Sequence, residues 1–331
     1  MATVPNRARH QAGTRHPISN PYIVGLPLKG AAESLFVGRD DVFTWLAENV
    51  HGSARPNALL LYGRRRIGKT STLYQLVDGA RGTKLRANSR RPIYPIYVDL
   101  QRLAGRPTDE WLRRLALGLY QRASPFLGQA DSPRADVYGG SAFTVLEDCL
   151  DRLQDSMHVN GCLLLAIDEV EQIRASIEAR SLSPEVLAFL RAQIQHRERI
   201  IFLLSGSASL LDLFWAPLVN LAARRELGPL DRDQTLRLVR RPVSRRLKYA
   251  GDAAEAIWLR SMGHPFYVQT ICHRLVSHAN GRQSRRDFTV EDVEVVVREL
   301  ESENFFDPNT ALDQPDRLTD ESLKDSGSGM P

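Results

Sequence analysis

Four short runs dominated by apolar residues punctuate this chain: Ala58 to Tyr62, Ile93 to Leu100, Cys162 to Ile167 and Ile200 to Ser205. Runs of this length without polar alternation mark strands buried on both faces, as in parallel sheets covered by helices. The stretches between them are long enough for helical crossovers, and Thr70 to Val77, Glu110 to Arg122, Phe143 to Gln154 and Pro184 to Arg197 carry helical patterns. Ser183 ahead of Pro184 makes a cap and first-turn pair. A fifth, shorter strand is expected near Glu226 and Leu227. Before the first run, Val42, Phe43, Leu46 and Val50 repeat at helical spacing, and Asp40 and Asp41 suit the positive end of that helix. The pattern predicts an α/β fold built on a sheet with helical crossovers.

After Gly228-Pro229-Leu230 the strand signal fades and only helical patterns remain, at Asp233 to Arg240, Ala253 to Met262, Pro265 to Ala279 and Val290 to Leu300. The last follows Thr289-Val290-Glu291-Asp292, a capping-box arrangement. Residues 20–230 therefore read as the core and 231–300 as a helical lid. Residues 1–19 lack periodicity and carry Arg7, Arg9 and Arg15, so they read as a flexible basic arm. Residues 301–331 hold Pro308, Pro315 and a closing Ser326-Gly327-Ser328-Gly329, and read as an acidic, disordered tail.

Length and composition agree with this division. The 331 residues suggest about two domains, and the 43% hydrophobic and 25% charged content is ordinary for globular protein. The net charge of +5 hides an asymmetry: eight acids against two bases in the tail leave +11 on residues 1–300. Such a body attracts nucleic acid, an acidic partner or its own tail, and reads equally as a solvated arginine-rich surface. Cys149, Cys162 and Cys272 form no CxxC pair, which points to reduced thiols without a metal or catalytic role. The longest apolar run, Cys162 to Ile167, is far below the ~18 residues of a spanning helix, so no membrane segment is expected and a cytoplasmic location is. His273, Trp215 and Trp258 read as packing residues.

The strongest chemical signal is Gly63-Arg64-Arg65-Arg66-Ile67-Gly68-Lys69-Thr70, which matches the P-loop pattern and lies between an apolar strand and a helix. In such a loop successive backbone N–H groups turn inward on phosphates and the following helix adds its positive end. Lys69 is expected to reach the β- and γ-phosphate oxygens, Thr70 to offer its hydroxyl to Mg²⁺, and Ser71 to reach the α-phosphate. Arg64, Arg65 and Arg66 are phosphate contacts or solvated loop residues. About a hundred residues later the Cys162 run delivers Asp168 and Glu169 to a strand's carboxyl end, the edge where open α/β sheets bind ligands. Asp168 is placed to hold Mg²⁺ and Glu169 to polarise an attacking water, whereas the plainer alternative makes both acids caps of a helix starting at Val170. Ser205 closes the next run, either as a γ-phosphate contact or as a strand-ending turn.

Taken in order, these motifs resemble the AAA+/STAND ATPases of bacteria and archaea. The resemblance rests on Asn20-Pro21-Tyr22, Phe36-Val37-Gly38-Arg39, the P-loop, Asp168-Glu169, Ser205-Gly206-Ser207, Leu227-Gly228-Pro229-Leu230 and Gly263-His264-Pro265-Phe266-Tyr267. It implies a sheet order of 5-1-4-3-2, with Phe36, Val37 and Gly38 lining the adenine site and Ser205 as the sensor. It also places Gly263 and Pro265 on bound nucleotide, although the same residues read as a simple helix junction. Arg224 and Arg225 are arginine-finger candidates or partners of surface acids.

The function this resemblance implies is a slow ATPase switch whose assembly into homo-oligomers follows ATP or ADP state, in stress response or anti-phage defence. Only an acidic tail follows the lid, which leaves two readings: a separate effector or sensor protein, or an incomplete chain. Two alternatives come from other classes: a DNA-binding AAA+ initiator or transposition helper, and a nucleotide-stabilised scaffold with negligible turnover. Glu169 argues against the scaffold, and the lack of an evident helix-turn-helix argues against the initiator.

Overall fold

A computed structural model describes residues 17–52, 56–127, 140–220, 222–281, 286–303 and 305. Arg7, Arg9 and Arg15 of the basic arm, and the tail from 306 on, lie outside the described residues.

Five strands, β1 (Ala58–Tyr62), β2 (Ile93–Asp99), β3 (Cys162–Asp168), β4 (Ile200–Gly206) and β5 (Ala222–Glu226), pair in parallel in the order β2-β3-β4-β1-β5. Read from the other edge this is the expected 5-1-4-3-2. Around the sheet lie α1 (Asp40–His51), α2 (Lys69–Val77), α3 (Ala80–Ala87), α4 (Thr108–Leu127), α5 (Ala142–Ser156), α6 (Gln172–Glu178), α7 (Glu185–His196) and α8 (Ala216–Val219). Strands β3 and β4 are buried at every position, which is why their sequences show no polar alternation.

Side chains leave the sheet alternately on its two faces. Leu60, Leu165 and Phe202 join Trp111 and Leu146 on one side, while Leu59, Leu164 and Leu203 join Leu46 and Leu73 on the other. Each fully buried leucine contributes about 2 kcal/mol by removal from water. The packing holds the carboxyl ends of β1, β3 and β4 side by side, and the P-loop, Asp168 and Ser205 sit at those ends.

The lid comprises α9 (Arg232–Arg240), α10 (Ala253–Ser261), α11 (Pro265–Gly281) and α12 (Val290–Ser302), packed around Leu238, Ile257, Ile271 and Val296. Asp231 and Gln234 form a capping box on α9, and Thr289 and Asp292 form one on α12. Ile18, Tyr22, Leu28 and Leu35 belong to the same apolar cluster, so the chain ahead of α1 packs on the lid. Ile18, read as part of the arm, exchanges backbone hydrogen bonds with the Asn280 side chain at 2.7 and 2.9 Å.

Three local readings are corrected. The lid is not purely helical: β6 (Lys248–Tyr249) and β7 (Asp287–Phe288) pair in parallel, at two residues each too short to leave a pattern. Helix α3 went unread because Arg81, Lys84 and Arg86 leave it no apolar stripe. The fifth strand ends at Glu226, and Leu227 continues only as a single bond from its N–H to Tyr62 O at 2.7 Å.

Candidate functional site

Strand β1 ends at Tyr62 and the chain turns at Gly63, whose N–H donates to Gly206 O at 3.3 Å and so ties the P-loop to the end of β4. Gly68 enters α2 at φ 106°, a conformation a side chain would strain. Lys69 curls back over the loop, its Nζ donating to Gly63 O at 3.0 Å and Arg64 O at 3.1 Å. Burial pushes its pKa down, against the opposing pull of Glu171, Glu169 and Asp168.

Across from Lys69, β3 delivers Asp168, 1% exposed. Thr70 Oγ1 donates to Asp168 Oδ2 at 2.7 Å and the Tyr97 hydroxyl donates to the same oxygen at 3.2 Å. Oδ1 is buried with no hydrogen-bond partner. An orphaned carboxylate oxygen beside a threonine hydroxyl is a donor set that fits a hard divalent cation, completed by ligand and water oxygens. The helix-cap reading of Asp168 gives way here, because its partners are Thr70 and Tyr97 and α6 starts only at Gln172.

Glu169 sits at φ 56°, a left-handed backbone that non-glycine residues adopt rarely and mostly at functional turns. The Val170 N–H holds this turn by donating to Ser205 O at 3.1 Å. Burial raises the pKa of Glu169, and the neighbouring Glu171 and Asp168 raise it further. Ser205 itself is fully buried, its hydroxyl without a partner, and it does not line the cavity. Ser207 takes the cavity-facing place expected of Ser205, with its N–H donating to Glu171 Oε1 at 3.0 Å.

A cavity of about 720 Å³ lies between core and lid, walled by Arg65 to Ser71, Glu169, Glu171 and Ser207 from the core and by Pro265, Phe266 and Gln269 from the lid. Phe36 and Val37 line it, as does the segment from Gly25 to Leu28. Gly38 does not; it lies against the Gln234 side chain of α9. Ser71 Oγ accepts the Leu28 N–H at 3.0 Å, so its hydroxyl anchors that segment. Gly63 and Arg64 stand behind the wall.

The lid touches the P-loop directly. His264 Nε2 lies 3.3 Å from Arg65 O, and since a carbonyl only accepts, Nε2 carries the proton. The Arg66 guanidinium lies 4.3 Å from the centre of the Phe266 ring. Gly263 faces Leu230 rather than the cavity: its φ is 72°, its O accepts the Leu230 N–H at 2.9 Å, and a Cβ there would collide with Leu230 O. Arg225 is paired with Asp41, and Arg224 donates to Val219 O and Asn220 Oδ1, both at 3.3 Å.

Two functional positions escaped the sequence reading. Arg39, 7% exposed, donates to Ile67 O at 2.9 Å and Gly228 O at 2.6 Å, strutting the P-loop against the start of the lid connection. Its signal lay in the Phe36-Val37-Gly38-Arg39 motif, of which only the first three were assigned. Glu171 was the other, two residues beyond an acid already singled out.

Burial lowers the His264 pKa from 6.5 to about 4. The unfolded chain therefore takes up a proton near pH 6.5 that the folded chain refuses until about pH 4, so folding weakens as pH falls through that window and is indifferent above it. His264→Asn should flatten this acid-side loss in melting temperature. Parallel melting curves of the two proteins between pH 7 and 4 would refute the assignment.

Sheet order, P-loop and helical lid together define a P-loop α/β fold with a helical lid. Comparison with solved structures agrees. The chain is similar to the Aeropyrum pernix ORC2 protein in its ADPNP–ADP complexes, at TM-score 0.56 and 16% identity over 80% of this chain and 69% of that one. It is also similar to the Aeropyrum pernix ORC1 protein in complex with DNA, at TM-score 0.52 and 17% identity over 81% and 69%. No family model and no curated protein matches the chain. No helix among the described residues is long and apolar enough to cross a membrane.

Proposed function

We propose that the protein binds ATP with Mg²⁺ in the cavity between core and lid, hydrolyses it slowly, and uses ATP or ADP state to set lid position and assembly, as a STAND-type switch. The observation that carries this reading is the 2.7 Å bond from Thr70 to Asp168, with the orphaned Asp168 oxygen beside it and Lys69 over the same cavity. Thr70 and Asp168 would hold the metal, which supplies charge neutralisation on the phosphates when bound. Lys69 and the inward backbone of the P-loop bind phosphate oxygens, and Glu169 takes the proton of the attacking water. Its raised pKa suits that task, since a stronger base accepts a proton more readily. Pro265 and Phe266 cover the nucleotide from the lid, and the contacts of His264 with Arg65 and Phe266 with Arg66 pass the state of the loop to the lid.

The test is size-exclusion chromatography with light scattering on apo protein and on protein with ADP or a non-hydrolysable ATP analogue. We expect a larger mass with the analogue alone, and an identical mass in all three states would defeat the switch reading. Adding duplex DNA tests the alternative that the +11 body binds nucleic acid, as the DNA-bound ORC1 neighbour does. Its mark would be a complex that dissolves as salt rises, because neutralised phosphates release counterions.

A further inference from the structure

Glu171 has a position in this site that the ATPase reading does not use. It stands at the start of α6, and one carboxylate oxygen, Oε1, accepts the Ser207 N–H at 3.0 Å. The other, Oε2, is buried, lacks any hydrogen-bond partner, and lies so close to the Gly206 Cα that any side chain there would collide with it. Glu171, Ser207 and Lys69 all face the same cavity. One anion thus occupies a backbone N–H at the end of β4, on the wall of the cavity that Lys69 also lines. Such a backbone donor is the kind a terminal phosphate recruits.

We propose that the Glu171 carboxylate is a built-in anion holding a backbone donor that a γ-phosphate would take, so that the resting site prefers a nucleoside diphosphate and a triphosphate binds only by displacing it. This rests on the ATP-site reading above. The displacement has a structural path. Gly206 O accepts the Gly63 N–H at 3.3 Å, so a carboxylate leaving Ser207 loosens the turn that anchors the first P-loop residue. The negative charge also repels a fourth phosphate charge more than it repels a diphosphate lying further from it. Glu171 acts here as a positioning residue, setting which nucleotide that donor accepts.

The experiment measures equilibrium affinities of fluorescent ADP and of a fluorescent non-hydrolysable ATP analogue, with Mg²⁺, for wild type and Glu171→Gln. Glutamine keeps the shape and removes the charge. In wild type we expect the diphosphate to bind more tightly, and in Glu171→Gln we expect the triphosphate-to-diphosphate affinity ratio to rise about tenfold, the scale of removing one like charge at short range. An unchanged or lowered ratio in the variant overturns the proposal while leaving the ATP site intact. Wild type that prefers the triphosphate overturns it as well, and this arm decides alone if melting shows that the variant does not fold. Wild type that binds neither nucleotide defeats the ATP-site reading itself, and the proposal with it.

Discussion

Lys69→Ala is expected to lower ATP affinity by about a hundredfold, the loss of one charge-assisted contact of roughly 3 kcal/mol to phosphate. The side chain is 8% exposed, yet its only hydrogen bonds among the described residues are to Gly63 O and Arg64 O, two carbonyls just behind the cavity wall whose place beside Lys69 cavity water takes once the side chain is gone. Its removal also relieves a buried charge, so the melting temperature of the nucleotide-free protein should move little. The arch of Lys69 over its own loop carries a second expectation. The lysine must exchange two carbonyls for phosphate oxygens on binding, so part of the gain from phosphate is offset by the contacts given up. Calorimetry decides the matter: ATP affinity within a few-fold of wild type would remove Lys69 from the site and the P-loop assignment with it.

What the sequence disclosed follows from which features are periodic or local. Strands β1 to β4 were legible because burial on both faces leaves unbroken apolar runs, and the lid helices because one buried face leaves a 3.6-residue stripe. The P-loop and Asp168-Glu169 were legible because their chemistry resides in adjacent residues. Features made by distant chain segments left less trace. Arg39 acts through two carbonyls, of Ile67 and Gly228, and nothing in its own neighbourhood announces them. The segment from Gly25 to Leu28 lines the cavity because Leu28 donates to Ser71, a contact across 43 positions. Gly263 and Ser205 were singled out for the cavity, but both serve backbone geometry beside it: Gly263 at Leu230 O, Ser205 at Val170 N. A motif identifies the turn that matters; which of its residues faces the ligand depends on a register that only the packed backbone sets.

Those backbone contacts converge on the P-loop. Gly206 O holds Gly63, Arg39 holds Ile67, and His264 holds Arg65, so the sheet, the residue ahead of α1 and the lid each grip a different residue of one eight-residue loop. A loop gripped at three points cannot change shape for one neighbour alone. On the switch reading proposed above, nucleotide that reorders the loop would bias the lid through His264 and Phe266, and lid displacement would in turn alter the loop, the reciprocity that any coupled pair of sites must obey.

Glu169→Gln separates binding from chemistry at this site. Glutamine preserves the volume and the strained φ of 56° that the Val170-to-Ser205 bond enforces, but it cannot take a proton from water. ATP should bind with near wild-type affinity while turnover falls by ~10² or more, the range of general-base catalysis. Any change in affinity should be a slight rise, since the substitution removes one negative charge from the cavity wall. Single-turnover hydrolysis measured alongside nucleotide affinity distinguishes the outcomes. Turnover equal to wild type would exclude Glu169 as the base and shift that role to the other carboxylate on the cavity wall, Glu171, already committed to Ser207. A fall in turnover accompanied by an equal fall in affinity would instead mean that the carboxylate organises the turn after β3, a structural role that Gln at this position cannot fill.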